Sequence, residues 1–259
     1  MQHSVRQTLI FALALCVGCS ILVSSIAVAL RERQEENRRV DEQKNVLEVA
    51  GLVEEGEKLS REEIQRRFAG NLKPRVVNLE TGEYAEDVDP LTYDQRRAST
   101  DPESSRPAPE NPARVRRLPR YGRVFLIQTD GEVEGIIVPV EGYGLWSTLY
   151  GYLALAPDLR TILGITFYEH GETAGLGGEV DNPRWKALWP GRLAFDESWV
   201  PKVAVKKGAA GPVEQDPYHV DGLSGSTLTS NGVTNLIHFW LGDHGFGPYL
   251  ARRRTEKGT

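Results

Sequence analysis

Leu9 to Leu30 is an unbroken run of 22 residues without a charged side chain. As an α-helix rising about 1.5 Å per residue, such a run spans the hydrocarbon core of a bilayer. It therefore reads as a transmembrane helix. The competing reading is a cleaved signal peptide, with Arg6 as its charged start and Ala27-Val28-Ala29 as a cleavage site. Signal-peptide apolar regions run to roughly 7–15 residues, so length favours an uncleaved anchor. Cys16 and Cys19 lack lipobox surroundings and read as lipid-facing or packing thiols. No cysteine follows them, so cysteine usage does not discriminate between redox compartments. Only Arg6 precedes the run, whereas Arg31, Arg33, Arg38, Arg39 and Lys44 follow it. Taken alone, the positive-inside rule leaves the large domain in the cytoplasm, and the interleaved Glu32, Glu35, Glu36, Asp41 and Glu42 count for little in it.

An apolar content of 40% and a net charge of −5 provide for one main domain with accessories, and for no nucleic-acid partner. The expected divisions are a tail at 1–8, the transmembrane helix at 9–30, a helical stalk and peripheral segment at 31–100, a Pro-rich linker at 101–120, the main domain at 121–254 and a tail at 255–259. In the stalk, Val46, Val49, Ala50 and Val53 share one stripe, and Ser60 with Glu63 form a capping box before a second helix. Five prolines interrupt 101–119. RVFLIQ at 123–128 and VEGIIVPV at 133–140, separated by Asp130-Gly131, predict a β-hairpin. Leu145, Trp146, Leu149, Tyr152 and Leu153 are spaced as one side of a helix, and TILGITFYEH from Thr161 returns to strand. All five tryptophans follow the linker and locate the densest core there. Strands and helices mix without a βαβ rhythm, so the fold class is α+β.

Three clusters carry chemistry. In DGLSGSTLTSNGV at 221–233, small residues and hydroxyls crowd before a helix whose apolar face is Val233, Leu236, Ile237, Trp240 and Leu241, with Ser230 or Asn231 as its N-cap and Gly242 as its C-cap. Ser224, Ser226, Thr227 and Thr229 thus lead into an anion site at a helix N-terminus. A nucleophile elbow needs glycine where Ser226 stands, and a P-loop needs a Gly-Lys-Ser/Thr end where no lysine occurs between 208 and 254. A capped helix after a Ser/Thr turn explains the same letters without a ligand. In EHGETAGLGGEVDNPRW at 169–185, Gly175, Gly177 and Gly178 miss the dinucleotide fingerprint, and glycines here let backbone approach a flat ring or form a surface loop. His170 reads as a loop residue, since the five histidines show no metal-ligand spacing. In GLWST at 144–148, the spacing of Leu145 and Trp146 suits a core helix face.

Asp221, Ser224, Gly225 and Thr227 complete D-x-x-S-G-x-T, which resembles a flavinylation motif. The tail from 221 to 253, including NGV at 231–233 and FWLGDHGFGPYL at 239–250, resembles the C subunit of the bacterial Na+-translocating NADH:quinone reductases, as do KNVLEVAGL at 44–52 and YDQRRASTDP at 93–102. Two departures stand out: Ser226 where alanine is usual, and Ala174 where proline is usual in ETPGLGG. The resemblance implies FMN held by a phosphoester on Thr227, placed there from FAD by a flavin transferase. It implies further cofactor contacts at Leu145, Trp146, Ser147, Glu172, Thr173, Leu176, Gly177, Ser224, Gly225, Ser226 and Leu228. It also implies an electron carrier without catalytic residues or a metal of its own, held in lipid beside the other subunits of a Na+-translocating, NAD- and ubiquinone-linked complex. By the same resemblance the protein is single-pass in the bacterial inner membrane, with its flavin domain on the periplasmic side, against the charge pattern. The flavin-bearing subunit of the ferredoxin-linked Rnf electron transport complex, or a non-redox tethered binding module, are the alternatives.

Overall fold

In the computed structural model, which describes residues 5–54 and 56–257, α1 runs unbroken from Val5–Val49. Its most apolar stretch has a mean hydropathy of 2.5 and is not buried at all, so the helix is long and apolar enough to cross a membrane. The helix starts before Leu9, and Val5 to Thr8 belong to it rather than to the expected tail; residues 1–4 lie outside the described residues. A first compact unit ends at Gln43 and a second begins at Lys44.

The second unit is built on a five-stranded antiparallel sheet. Its elements are α2 (Arg61–Asn71), β1 (Leu72–Asn78), α3 (Gln95–Thr100), β2 (Ser105–Pro107), β3 (Arg117–Pro119), β4 (Tyr121–Thr129), β5 (Glu132–Tyr143), β6 (Thr148–Leu155), β7 (Ile162–Glu169), α4 (Pro183–Lys186), β8 (Ala204–Val205), β9 (His219–Val220), α5 (Thr227–Leu241) and α6 (Gly247–Lys257). The sheet order is β1-β4-β5-β6-β7. The predicted hairpin is β4–β5, and its turn places Asp130 at φ 50° and Gly131 at φ 88°, the left-handed pair of a type I′ turn.

The strands are apolar on both faces because both are covered. Val124, Leu126, Ile136, Val138 and Leu153 lie in the core with Val233, Leu236, Ile237 and Trp240 of α5. Phe125 and Tyr152, on the opposite face, meet edge to face, and Phe68 of α2 packs against Phe125. Val46, Leu47 and Val49 are buried at the end of α1, and Val49 approaches Gly164 so closely that a Cβ there would stand 2.8 Å from its carbonyl oxygen. Ser60 caps α2 as expected, accepting from the Glu63 N–H at 3.2 Å.

Four expectations give way. Residues 148–155 form β6, not a helix: Leu149 and Leu153 face the core while the intervening residues alternate with them, a strand pattern disguised by apolar residues on both faces. Residues 101–120 are not a linker. They form the β2–β3 ladder and bury Ala113, Val115 and Leu118, with Asn111 bonding both ways to Val115. Residues 72–78, expected in the peripheral segment, are β1 of the main sheet; Pro74 is accommodated because β1 is an edge strand. At the C-terminus, Thr255 to Lys257 belong to α6, while residues 258 and 259 of the expected tail lie outside the described residues.

Candidate functional site

The first turn of α5 organises the site. The helix begins at Thr227, four residues earlier than a Ser230 cap requires, with Ser226 as N-cap and no side-chain hydrogen bond to the turn. Its initial N–H groups are therefore uncapped by any side chain and carry the positive end of the helix dipole. Ser230 instead lies inside the helix, buried, and its hydroxyl accepts from the Leu223 N–H at 3.1 Å, which holds the preceding loop over the first turn. Ser226 is buried too, and its backbone closes a turn on Leu223. Because its hydroxyl caps nothing, alanine at this position removes no interaction from the turn.

The two threonines of the turn are in opposite situations. Thr227 is exposed, and Leu228 beside it is 60% exposed. Thr229 is fully buried, and its hydroxyl donates to Glu172 at 2.6 Å. Glu172, itself only 8% exposed, also accepts from the N–H groups of Trp146 at 2.9 Å, Leu145 at 3.1 Å and Ser147 at 3.2 Å. Burial pushes the Glu172 carboxyl up, but the Thr229 hydroxyl and the N–H groups of Trp146, Ser147 and Leu145 outweigh it and hold the group below the ordinary glutamate value. One carboxylate thus ties the 144–147 loop, the 171–178 loop and α5 together.

The glycines are shaped to this knot. A Cβ on Gly177 would stand 2.6 Å from the Thr229 hydroxyl and 2.7 Å from Glu172, and one on Gly144 would stand 2.7 Å from Glu172. Both contacts are closer than real side chains tolerate, so Gly177 is required here for approach to the carboxylate. Gly225 sits at φ 69° with Leu176 of the other loop 3.0 Å from where its Cβ would be. Thr173 is exposed, and its carbonyl accepts from the N–H groups of Leu176 and Gly178. The Ser147 hydroxyl accepts from the Gly171 N–H at 2.6 Å. Trp146 is 65% exposed and Leu176 42%, so the helix-face explanation of Trp146 falls with the helix.

Beside the turn lies a cleft of about 350 Å³ whose lining includes Ser224, Gly225, Thr227 and Asn231 from the motif and its helix, and Lys207 and Gly208 from the segment that follows β8. Asp221 does not line it. Its side chain accepts from the Ala210 N–H at 2.8 Å and its carbonyl from the Trp185 indole at 2.9 Å, which fixes the start of the loop. His170 pairs with Asp181 at 2.7 Å. Among the described residues no group of three or more His, Cys, Asp or Glu could hold a metal ion. On β5, burial pushes the Glu141 carboxyl up to about 7, with Arg96 pulling the other way; Arg96 binds Glu169 in a fork and lies over the Tyr150 ring.

The Glu172–Thr229 bond leaves no signal in the sequence. The partners of that bond are 57 positions apart, and nothing in their local patterns links them.

Relatives and solved structures point the same way. The FMN-binding domain family matches residues 144–242, which holds both loops, the motif and α5. The C subunit of the Na(+)-translocating NADH-quinone reductase of Pseudomonas aeruginosa is 48% identical over 256 residues, covering 98% of this chain and 97% of that one. The protein of the same name from Yersinia pestis is 42% identical over 255 residues, covering 97% and 94%. The crystal structure of Shewanella oneidensis NqrC superposes with a TM-score of 0.77 at 36% identity, over 85% of this chain and 99% of that chain.

Proposed function

The chain belongs to the NqrC family, the C subunits of the Na+-translocating NADH-quinone reductases, and from that premise we propose that it carries its FMN covalently, as a phosphoester on Thr227. It is a flavoprotein subunit of that oxidoreductase complex, and the other subunits are its partners. The Rnf-complex and non-redox readings gain no support, because the relatives that match nearly end to end are reductase subunits and the matched domain is FMN-binding.

The observation that carries the proposal is the contrast between the two hydroxyls. Thr227 is exposed on an uncapped helix turn at the edge of a cleft, whereas Thr229 is buried and bonded to Glu172. The residues fit a phosphorylated ligand. The turn offers N–H groups and the favourable end of a helix dipole to the anion, and glycines at 208 and 225 keep the approach to Thr227 clear. Trp146, Leu176 and Leu228 are large, apolar and exposed on the elements tied through Glu172 and Thr229, a surface suited to covering one face of a flavin ring. When bound, FMN supplies one- and two-electron transfer, and the protein's part is to hold, orient and tune it. Glu172 acts in this reading by fixing the 144–147 and 171–178 loops as a preformed seat. Thr173, Gly177, Leu145, Ser147 and Ser224 complete that seat.

The chain is anchored in the bacterial inner membrane by one helix, in contact with lipid. Its flavin domain lies on the periplasmic side, where a flavin transferase modifies it.

Intact-mass measurement after coexpression with a flavin transferase tests the site. Thr227→Ala is expected to abolish the FMN adduct. Thr229→Ala is expected to retain it while lowering stability by about 1.5–3 kcal/mol, the loss of a buried hydrogen bond to a charged group. An adduct that persists in Thr227→Ala refutes the assignment.

A further inference from the structure

We infer that Lys207 is a positioning residue for the FMN phosphate, supplying the cation that a phosphate-binding loop ordinarily places within its own motif. The inference rests on the Thr227 assignment and deepens it. The motif contains no lysine, and none follows it before residue 254. The fold brings one from fourteen residues before Asp221 instead, as the numbering shows. Among the described residues lining the cleft, Lys207 is the only charged one, and Thr227 lines the same cleft.

Its backbone is held there by bonds that do not involve the lysine side chain. Parallel pairing of β8 with β9 sets Val205 beside Val220. The Lys206 N–H donates to the Val220 carbonyl at 3.0 Å, and the Gly222 N–H to the Gly208 carbonyl at 2.8 Å. The Val205 N–H donates to the Thr234 hydroxyl of α5 at 2.9 Å, so this segment is fastened to the same helix that presents Thr227. A Cβ on Gly222 would lie 2.3 Å from the Lys206 carbonyl oxygen, so the start of the motif and the lysine segment run in direct backbone contact. The neighbouring Lys206 is committed to Asp216 at 3.4 Å, whereas Lys207 is exposed and has no ion pair among the described residues. Two adjacent lysines are therefore divided between one in a structural pair and one that lines the cleft without an ion pair among the described residues.

The chemistry gives that charge its use. Flavinylation forms the Thr227 Oγ–phosphorus bond and breaks the pyrophosphate bond of FAD; AMP leaves with the bonding pair and the hydroxyl proton passes to solvent. The resulting phosphodiester keeps one negative charge on a turn whose N–H groups offer partial positive charge only. A mobile ammonium beside it neutralises the charge during transfer and afterwards, at a partly screened distance.

The test uses the full-length chain, purified in detergent without flavin and incubated with FAD and a flavin transferase, with adduct formation followed by intact mass. Lys207→Gln is expected to slow the initial rate about 3- to 10-fold at low ionic strength, the range for one charge-assisted phosphate contact at an accessible site. It is also expected to flatten the fall of the rate with added salt. Lys207→Arg should restore most of the rate, and Lys206→Gln should leave it unchanged. In the loaded protein, the 31P resonance of the phosphodiester should shift in Lys207→Gln and return towards its native position in Lys207→Arg. A Lys207→Gln chain with native rate, salt dependence and 31P shift overturns the inference while the Thr227 assignment stands. A wild-type chain whose adduct lies elsewhere than Thr227 overturns both.

Discussion

Glu172 is the residue whose loss can be costed most directly from the structure. Alanine there strands the Thr229 hydroxyl, which is fully buried, and the N–H groups of Leu145, Trp146 and Ser147, which are partly covered. A stranded buried donor costs about 1–3 kcal/mol. The fully buried hydroxyl alone therefore gives about 1–3 kcal/mol, a substantial share of the ~5–15 kcal/mol that holds an ordinary domain folded. Glutamine keeps one carbonyl oxygen for the N–H groups and loses the charge, so its expected loss is smaller, about 1–2 kcal/mol. The pH dependence has a definite sign. The Glu172 carboxyl lies below its ordinary 4.5 when folded, so its contribution is present above that value and is lost as pH falls through the lower folded value. The gap between wild type and Glu172→Gln should therefore be full at pH 7 and close in acid. Urea unfolding followed by tryptophan fluorescence reads this cleanly, because all five tryptophans lie beyond residue 145 and none is in the anchor. Two results would refute this account: Glu172→Ala unfolding within about 0.5 kcal/mol of wild type at pH 7, the range of an inert surface change, or a glutamine gap that is the same on both sides of the ordinary carboxyl value.

Glu141 should behave in the opposite sense: its carboxyl is raised to about 7, so the folded state loses stability as pH climbs from 4.5 to that value. Glu141→Gln is expected to raise the melting temperature at pH 8 by the equivalent of up to about 3 kcal/mol and to do little at pH 5, and an equal effect at both pH values would contradict it. A chain beginning at Lys44, where the second compact unit starts, should be soluble without detergent and still accept flavin; failure to fold would show that the anchor is not separable. A reporter fused after Thr259 should work only if it functions outside the cytoplasmic membrane, and a cytoplasm-only reporter active there would vindicate the positive-inside count.

What the sequence discloses follows from how local each signal is. The anchor, the β4–β5 hairpin and the apolar face of α5 are patterns within one element, and each is present over the residues that carry it. β6 imitates a helix because strands covered on both faces lose their alternation: Leu149, Leu153, Ala154 and Leu155 are all buried, and their spacing fits a helix as well as a strand. Residues 101–120 imitate a linker because closely spaced prolines suggest irregular chain, yet Pro107 and Pro119 sit in the short β2–β3 ladder, and Ala113 and Leu118 are as buried as any strand residue. Tryptophan marks the core at Trp185, Trp189 and Trp240 but not at Trp146, which is exposed beside the site.

The distinction between Thr227 and Thr229 shows where a motif stops and a structure begins. Register within D-x-x-S-G-x-T selects Thr227 without giving a physical reason, and helix-dipole arguments favour either hydroxyl. The reason emerges only when two distant segments meet. Glu172 occupies the Thr229 hydroxyl, and Gly177 must be glycine for the two to approach. The loop glycines thus serve the carboxylate before they serve a ring. This also accounts for the two departures from the family pattern being tolerable. Ser226 contributes a hydroxyl that caps nothing, and Ala174 stands exposed in a loop whose geometry is set by Gly175 at φ 75°, by the Thr173 carbonyl and by the Glu172 bonds rather than by a fixed proline φ. A site assembled this way depends less on the spelling of either motif than on the single carboxylate that joins them, so substitutions at Glu172 should reach further than substitutions at any of the motif's unbonded hydroxyls except the proposed acceptor, Thr227.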